Sequence, residues 1–403
     1  MSDRRHPLPD GPEEPGGPAR TGRPGDSGGP GGSDGSHGSR TAHGSHDARA
    51  GRGTGEGRRS GGAAGWWRRF KESPFLLATV LSLLIAVAAG LFAGSYTYAM
   101  ADPTPRRIPV AVVGATESAA AHRERAETFA DAVGEDLRSS LELHEYPTAA
   151  AAGEALESQR VFAVLRIPAD PGREQPVLEV SSASGASVAE LLTEAARSVG
   201  EETGLRVAVR DAKPLDPGDP RGLALFYVTL AAVVTGFIGA IQMSVHARDL
   251  NPSERIAFTA AYSLLGGFAI AAAVDWLLNA VDFPFVHSWM ILALTMFTSG
   301  MVFTMFQALI GRWAMLPTWG LMVLIGNPSS GGAVSWPLLP SLLGTVGRWL
   351  PPGASVNAQH TAVYFPDHLH VQPYLVLTAW AVVSCAVFWL RRHRHPGGRD
   401  GGS

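Results

Sequence analysis

Apolar positions fall into two patterns along this chain: long runs that are apolar on every face, and a middle stretch where they recur with strand or helix spacing. Five runs approach or exceed the roughly 20 residues that a helix needs to cross a bilayer. They are Phe75 to Ala99, Gly222 to Val245, Ile256 to Val281, Val286 to Ile310 and Gln372 to Leu390. A sixth, Trp313 to Gly326, is short and runs into Asn327-Pro328-Ser329-Ser330-Gly331-Gly332, a cluster of helix breakers. Non-helical backbone at membrane depth has to be shielded by its neighbours. The pattern therefore predicts six transmembrane helices, the fifth completed by irregular backbone. Trp336 to Trp349 is apolar but interrupted by Pro337 and Pro340, too short and broken to cross, and reads as an outer re-entrant or interfacial piece.

Between the first two spans the period changes. Ile108 to Val113, Leu141 to Tyr146, Val161 to Ile167, Val177 to Ser181 and Leu205 to Val209 read as short strands. Glu117 to Ser139, Thr148 to Glu157 and Val188 to Thr203 read as helices. That order implies a mixed sheet covered by helices, with enough chain for one core. The proline-rich run 214–220 then leads stiffly into the second span.

Charge sets the orientation. Arg68, Arg69 and Lys71 precede the first span, Arg248 and Arg255 lie between the second and third, Arg312 follows the fourth, and Arg391, Arg392 and Arg394 follow the last. With six spans all of these fall on one side, so both termini are expected in the cytoplasm and the sheet region outside. The first apolar run is too long, and preceded by too much chain, for a cleaved signal; it reads as an uncleaved anchor.

Composition sharpens the division. Residues 1–65 hold 19 of the 47 glycines and a single large aliphatic residue, Leu8. Such a stretch buries too little surface to offset its ordering entropy, and is expected to be a disordered cytoplasmic tail. Residues 101–221 carry 13 basic and 21 acidic side chains, a net charge of −8 that reads as a solvated surface. The whole is read as an α-helical polytopic membrane protein with an inserted extracytoplasmic α/β domain. The segments are the tail (1–65), an interfacial segment and first helix (66–100), the α/β domain (101–221), five further helices with a re-entrant segment at 328–353 (222–391), and a cytoplasmic end (392–403).

Several chemistries are excluded or disfavoured. Cys385 is the only cysteine, so neither an intramolecular disulfide nor a thiolate cluster can form. With only Lys71 and Lys213 present, no phosphate-cradling Gly-x-x-x-x-Gly-Lys-Ser/Thr loop exists, and any ATP use must come from another chain. Val113-Gly114-Ala115-Thr116 lacks the glycine fingerprint of a dinucleotide site. The outer histidines His360, His368 and His370 lack the closely spaced second pair that would complete a tetrahedral zinc set. No enzyme activity, cofactor, metal or nucleic-acid partner is expected.

Polar groups inside apolar runs are candidates for a transport path, because in hydrocarbon they should face a bundle interior or water. These are Gln242, Asp275 and Gln307, joined by Asn327, Pro328, Ser329, Ser330 and Gly331 in the breaker cluster. Trp66, Trp67, Arg68 and Arg69, with Arg248 and Arg255, form an aromatic and cationic inner face suited to lipid or to a partner subunit. Gly90-x-x-x-Gly94 and Gly236-x-x-Gly239 permit close approach of helices.

The strings Gly326-Asn327-Pro328-Ser329-Ser330-Gly331-Gly332, Trp336-Pro337-Leu338-Leu339-Pro340 and Arg348-Trp349-Leu350-Pro351-Pro352-Gly353 resemble the last-third signature of bacterial membrane proteins of the phage infection protein (Pip/YhgE) group. That group is similar to type-2 ABC exporter permeases, and its plan of one span, a large external domain and five spans agrees with the one read here. The resemblance implies an export-associated permease of the bacterial plasma membrane, working as a homodimer or heterodimer with a separate ATPase subunit. The loop 246–255 departs from that pattern in lacking an obvious charged coupling helix. The alternative expectation is a non-transporting envelope receptor or assembly scaffold whose external domain binds a partner.

Overall fold

The computed structural model describes residues 74–101, 105–113, 124, 128, 131–135, 141–166, 175–203 and 207–394. The expected tail at 1–65, the Trp66 to Arg69 face, most of the helix at 117–139 and the end from 395 onward lie outside the described residues.

Among the described residues, five helical stretches are long and apolar enough to cross a membrane: Phe75–Met100, Ala224–His246, Pro252–Leu277, Phe285–Gly326 and Val371–Arg392. They mark a membrane-embedded protein. The count differs from the six read from the sequence, because the fourth and fifth runs join into one helical stretch of 42 residues. At 1.5 Å per residue such a stretch would measure about 63 Å if straight, twice the hydrocarbon thickness of about 30 Å. It is not straight. Helix α6, defined below, ends at Gly311, whose φ of +61° is open to glycine and costly for other residues.

The first helix, α1 (Pro74–Met100), is exposed along nearly its whole length, with Phe75, Leu77, Leu83 and Ile85 each more than 60% exposed. It meets the rest of the molecule near its end. Ser95 Oγ donates to the Leu324 carbonyl, and Tyr96 Oη accepts from Asn327 Nδ2 at 2.7 Å. Gly90 and Gly94 face open space, so their close-approach spacing is unused among the described residues.

Among the described residues five strands follow: β1 (Ile108–Val113), β2 (Leu141–Tyr146), β3 (Ala163–Arg166), β4 (Val177–Val180) and β5 (Ala208–Asp211). They form one mixed sheet in the order β2-β1-β3-β4-β5, parallel throughout except for the antiparallel β3–β4 pair. Two helices are fully described beside it. In α2 (Ala149–Glu157) the Thr148 hydroxyl caps the first turn by accepting from Ala151 N at 3.1 Å. Helix α3 (Ala186–Thr203) buries Val188, Leu192, Ala195 and Val199, one apolar stripe at helical spacing, into a core with Ile108, Val110, Leu165 and Leu178.

The chain then enters the helix bundle through two aspartates. Asp219 Oδ1 and Oδ2 accept from Leu223 N and Ala224 N, capping α4 (Ala224–His246). Asp216 Oδ2 accepts from Asp282 N at 3.0 Å and pins the lead to the loop beyond the third span. Helix α5 (Pro252–Ala272) starts at Asn251, whose N–H donates to Glu254 Oε2 at 2.9 Å, with Pro252 in the first helical position. It continues through a π-helical turn, Ala273–Leu277.

Helix α6 (Phe285–Ile310) is the buried axis of the bundle. Small residues let its neighbours close in: a Cβ on Gly236 of α4 would strike the Met296 backbone, and one on Gly267 of α5 would strike Ala293. Beyond Gly311, α7 (Met315–Trp319) runs into a π-helical segment, Gly320–Gly326. A 3-10 turn at Trp336–Leu338 and α8 (Ser341–Gly347) precede α9 (Pro351–Tyr364), and α10 (Val371–Arg394) completes the bundle. Helix α9 is largely buried and has no counterpart in the sequence reading, which places no helix between Trp349 and the last span. Proline at the first helical position starts a helix as readily as it ends one.

Candidate functional site

The three strings at 326–353 converge on one side chain. Trp336 lies against Gly331, whose φ is +80° and whose Cβ, if present, would fall on the indole ring. The Arg348 guanidinium lies over the same ring, its Cζ 5.2 Å from the centroid. A Cβ on Gly353 would approach the indole to 3.2 Å and would also meet the Gly347 carbonyl. Gly347 in turn admits the Ser329 carbonyl, and Gly326 packs against Pro352. The glycines here are thus required by contact, and they fix Trp336 at the junction between sheet and bundle.

That junction is stitched by hydrogen bonds. Arg106 N donates to the Pro337 carbonyl at 3.0 Å, and Ser335 N donates to Ser187 Oγ at 3.0 Å. The Ser187 and Ser335 hydroxyls are 2.8 Å apart. Leu338, 1% exposed, completes the hydrophobic core of the sheet. The middle of the segment read as re-entrant is therefore held by the sheet as well as by helices.

Above this junction lies a cavity of about 1500 Å³. One wall is a face of α3 that presents Ala186, Ala189, Glu190, Thr193, Glu194 and Arg197 at helical spacing. The sheet side supplies Arg106, Arg107 and Arg160, and the entry to α4 supplies Arg221, Gly222, Leu223 and Leu225. Gly331, Gly332, Ala333, Ser335, Trp336 and Arg348, with the α9 residues Val356, Asn357, His360 and Tyr364, close the bundle side. Six arginines meet three carboxylates, Glu190, Glu194 and Asp211, and Asp211 Oδ1 is already taken by Ser182 N and Lys213 N. None of the six arginines is paired with a carboxylate among the described residues. A positive chamber therefore sits within a region whose total charge is −8.

The floor is polar. Asn357 Oδ1 is buried without a hydrogen-bond partner. Two residues earlier in α9, Ser355 Oγ accepts from Thr295 Oγ1 at 2.7 Å, with Thr229 Oγ1 3.5 Å from the same oxygen, and all three residues are fully buried. Ser299 Oγ donates to the Val233 carbonyl and Gln359 Nε2 to the Ser288 carbonyl. His360 packs on the rings of Tyr364 and Phe365. Burial, reinforced by the nearby His370, holds its imidazole down to about 4, so it is neutral at pH 7.

The path residues expected from sequence are dispersed. Gly331 lines the cavity. Asn327, Pro328, Ser329 and Ser330 are buried behind it: Asn327 is bound to Tyr96, Ser329 Oγ donates to the Ile325 carbonyl, and Ser330 Oγ lies 3.4 Å from Gly332 N. Gln242 is exposed at the far end of α4, and Asp275 is partly exposed in the π-helical turn. Gln307 is at the end of the bundle away from the sheet, where its Oε1 accepts from Arg255 Nη2 at 2.9 Å. Of the residues read as a partner face, Arg255 is thereby engaged and only 6% exposed, whereas Arg248 is exposed. The cavity arginines went unread in the sequence, although Arg106, Arg107 and Arg221 flanking the domain carried a hint of it.

No protein-family profile, no characterised protein and no solved structure matches this chain in comparison.

Proposed function

We propose that this chain is the membrane-spanning, permease-like subunit of an export system in the bacterial plasma membrane, moving its substrate outward, with the sheet on the outer side and both termini in the cytoplasm. The observation that carries the reading is the large charged cavity at the sheet end of the bundle, floored by Asn357 and underlain by the buried Thr229, Thr295 and Ser355 hydroxyls. Thr295 also bonds the Ile291 carbonyl of its own helix, as packed hydroxyls do, so the weight rests on the chamber: a charged cavity at a bundle mouth is where a substrate leaving the helices would emerge. In this conformation the polar ladder is fully buried, which corresponds to a closed path.

Six crossings fit the reading better than five, because a reversal at Gly311 divides the 42-residue stretch into two passes and brings Arg248, Arg312 and Arg391 to one side. The chain would act as a dimer or with a homologous partner, and energy would come from a separate ATPase. Purified in mild detergent from its native membrane, the full chain is expected to bring a nucleotide-binding ATPase in stoichiometric amount, detected by mass spectrometry. Recovery of envelope proteins with no ATPase would overturn the reading in favour of a scaffold.

A further inference from the structure

The charged cavity has an apolar neighbour. A second cleft of about 570 Å³ is lined by Leu339, Gly344, Thr345 and Trp349, and shares Arg106, Trp336, Pro337, Arg348 and Gln372 with the first. The shared residues put two guanidinium groups, neither paired with a carboxylate among the described residues, where a polar chamber meets an apolar slot. The level of this boundary in the molecule follows from the chain: Arg106 comes six residues after the end of α1 at Met100, and Gln372 lies in the first turn of α10. Two membrane-crossing helices therefore end beside it, which is the depth of lipid headgroups. Leu342 and Trp349 beside the cleft are 72% and 61% exposed, as residues facing acyl chains would be.

We infer that the joined cavities bind an amphiphile with an acidic headgroup, a lipid whose phosphate or carboxylate sits between Arg106 and Arg348 and whose acyl chain lies along Trp336, Leu339 and Trp349. Each half of the site selects a different property. Guanidinium forks match the geometry of phosphate and carboxylate oxygens, and near the low dielectric of the bilayer that pairing strengthens. The slot, with Trp336, Pro337, Leu339 and Trp349 outnumbering Ser341, Thr345 and Gln372 beyond the arginines, suits an apolar chain. Trp336 joins the halves, held flat by Gly331 and Gly353 and carrying Arg348 on its face. Rotation of Arg348 is thereby restricted, so part of the ordering cost of binding is met in the fold. The inference rests on the proposed function only for the side of the membrane from which the lipid comes; binding itself is measured without transport.

The test uses the full chain in phosphatidylcholine nanodiscs doped with a few mole per cent of acyl-brominated lipid, with quenching of tryptophan emission as the readout. Brominated phosphatidylglycerol is expected to reach half-saturation at about a tenfold lower fraction than brominated phosphatidylcholine, the ratio that one charge-assisted contact supplies. Arg106→Gln with Arg348→Gln should remove that preference, Arg106→Lys with Arg348→Lys should keep much of it, and Arg210→Gln, an exposed change on β5 outside both cavities, should leave it unchanged. Equal quenching by the two lipids, or equal loss on Arg210→Gln, would overturn the inference. Displacement by millimolar glycerol phosphate would show a site for the free anion and sink the amphiphile. Should the glutamine pair fail to fold, the lipid comparison on the unaltered chain and the lysine pair still decide. Failure here leaves the ATPase test standing, and failure there leaves this one.

Discussion

The two ends of the helix bundle treat arginine in opposite ways. At the end away from the sheet, Arg255 is 6% exposed and spends a guanidinium hydrogen bond on the neutral Gln307. At the sheet end, six arginines surround a cavity, all exposed, none paired with a carboxylate among the described residues. A buried guanidinium bound to a single neutral acceptor is part of the packing, because removing it uncovers a polar atom and a void. An array of exposed like charges around a chamber adds no packing and repels itself. It is tolerable only because water screens it, and it becomes favourable when an anion enters. Burial therefore separates packed arginines from those that face a cavity, where residue type alone does not.

The largest effect that would break this contrast is expected at the sheet end, in its glycines. Gly347→Val drives a side chain into the Ser329 carbonyl, a backbone atom that cannot yield easily. A loss of about 3 kcal/mol or more, or no monodisperse protein at all, is expected in detergent melts and gel filtration, whereas Gly90→Val, in open space, should change stability by less than about 0.5 kcal/mol. Equal tolerance of both would mean that the Trp336 junction is loose.

Next in size, Arg255→Ala should cost about 2 kcal/mol through the void and the unpaired Gln307 oxygen, with Arg255→Met plus Gln307→Leu regaining most of it. A stable Arg255→Ala protein that no longer retains a partner subunit would instead make Arg255 a contact residue, as the sequence reading had it, and would erase the difference between the ends.

The smallest effect is a pH dependence at the cavity wall. His360 is held down to about 4, below its ordinary 6.5. Between those values the unfolded chain binds more protons than the folded one, so this contribution to stability is complete above pH 6.5 and shrinks as the pH falls toward 4. The ring lines the cavity and is partly exposed, which reduces the expected loss by pH 5 to about 1 kcal/mol. Melting the parent and His360→Gln at pH 7.5 and 5 should show the smaller loss in the variant. Parallel loss in both would place the titration elsewhere.

Much of the secondary structure was legible because its causes are local. Ile108–Val113 and Leu141–Tyr146 occur with the bounds their patterns give, β3 and β4 are shorter than read, and β5 is displaced, sharing only Ala208 and Val209 with the run read as Leu205 to Val209. Gly236 and Gly239 pack as their spacing implies, against Met296 and Tyr262. Helix α9 escaped notice because Pro351-Pro352-Gly353 signals both an end and a beginning, and only the burial of Ala354, Val356 and Ala358 against neighbouring helices decides between them. The path residues were chosen for polarity within apolar runs, a criterion blind to whether a partner such as Tyr96 or Arg255 already satisfies them.

By itself the sequence determined which stretches are apolar enough to enter a membrane, where a sheet begins between them, and that neither a phosphate loop nor a thiolate cluster can form. Those properties are sums over neighbouring residues or simple absences. Only the tertiary structure decided that Gly311 bends a 42-residue run, that Leu338 belongs to the core of the sheet, and that arginines from positions 106, 221 and 348 share one chamber. Each of these depends on which distant segments touch, and contact between segments hundreds of residues apart is fixed by packing rather than by any local period.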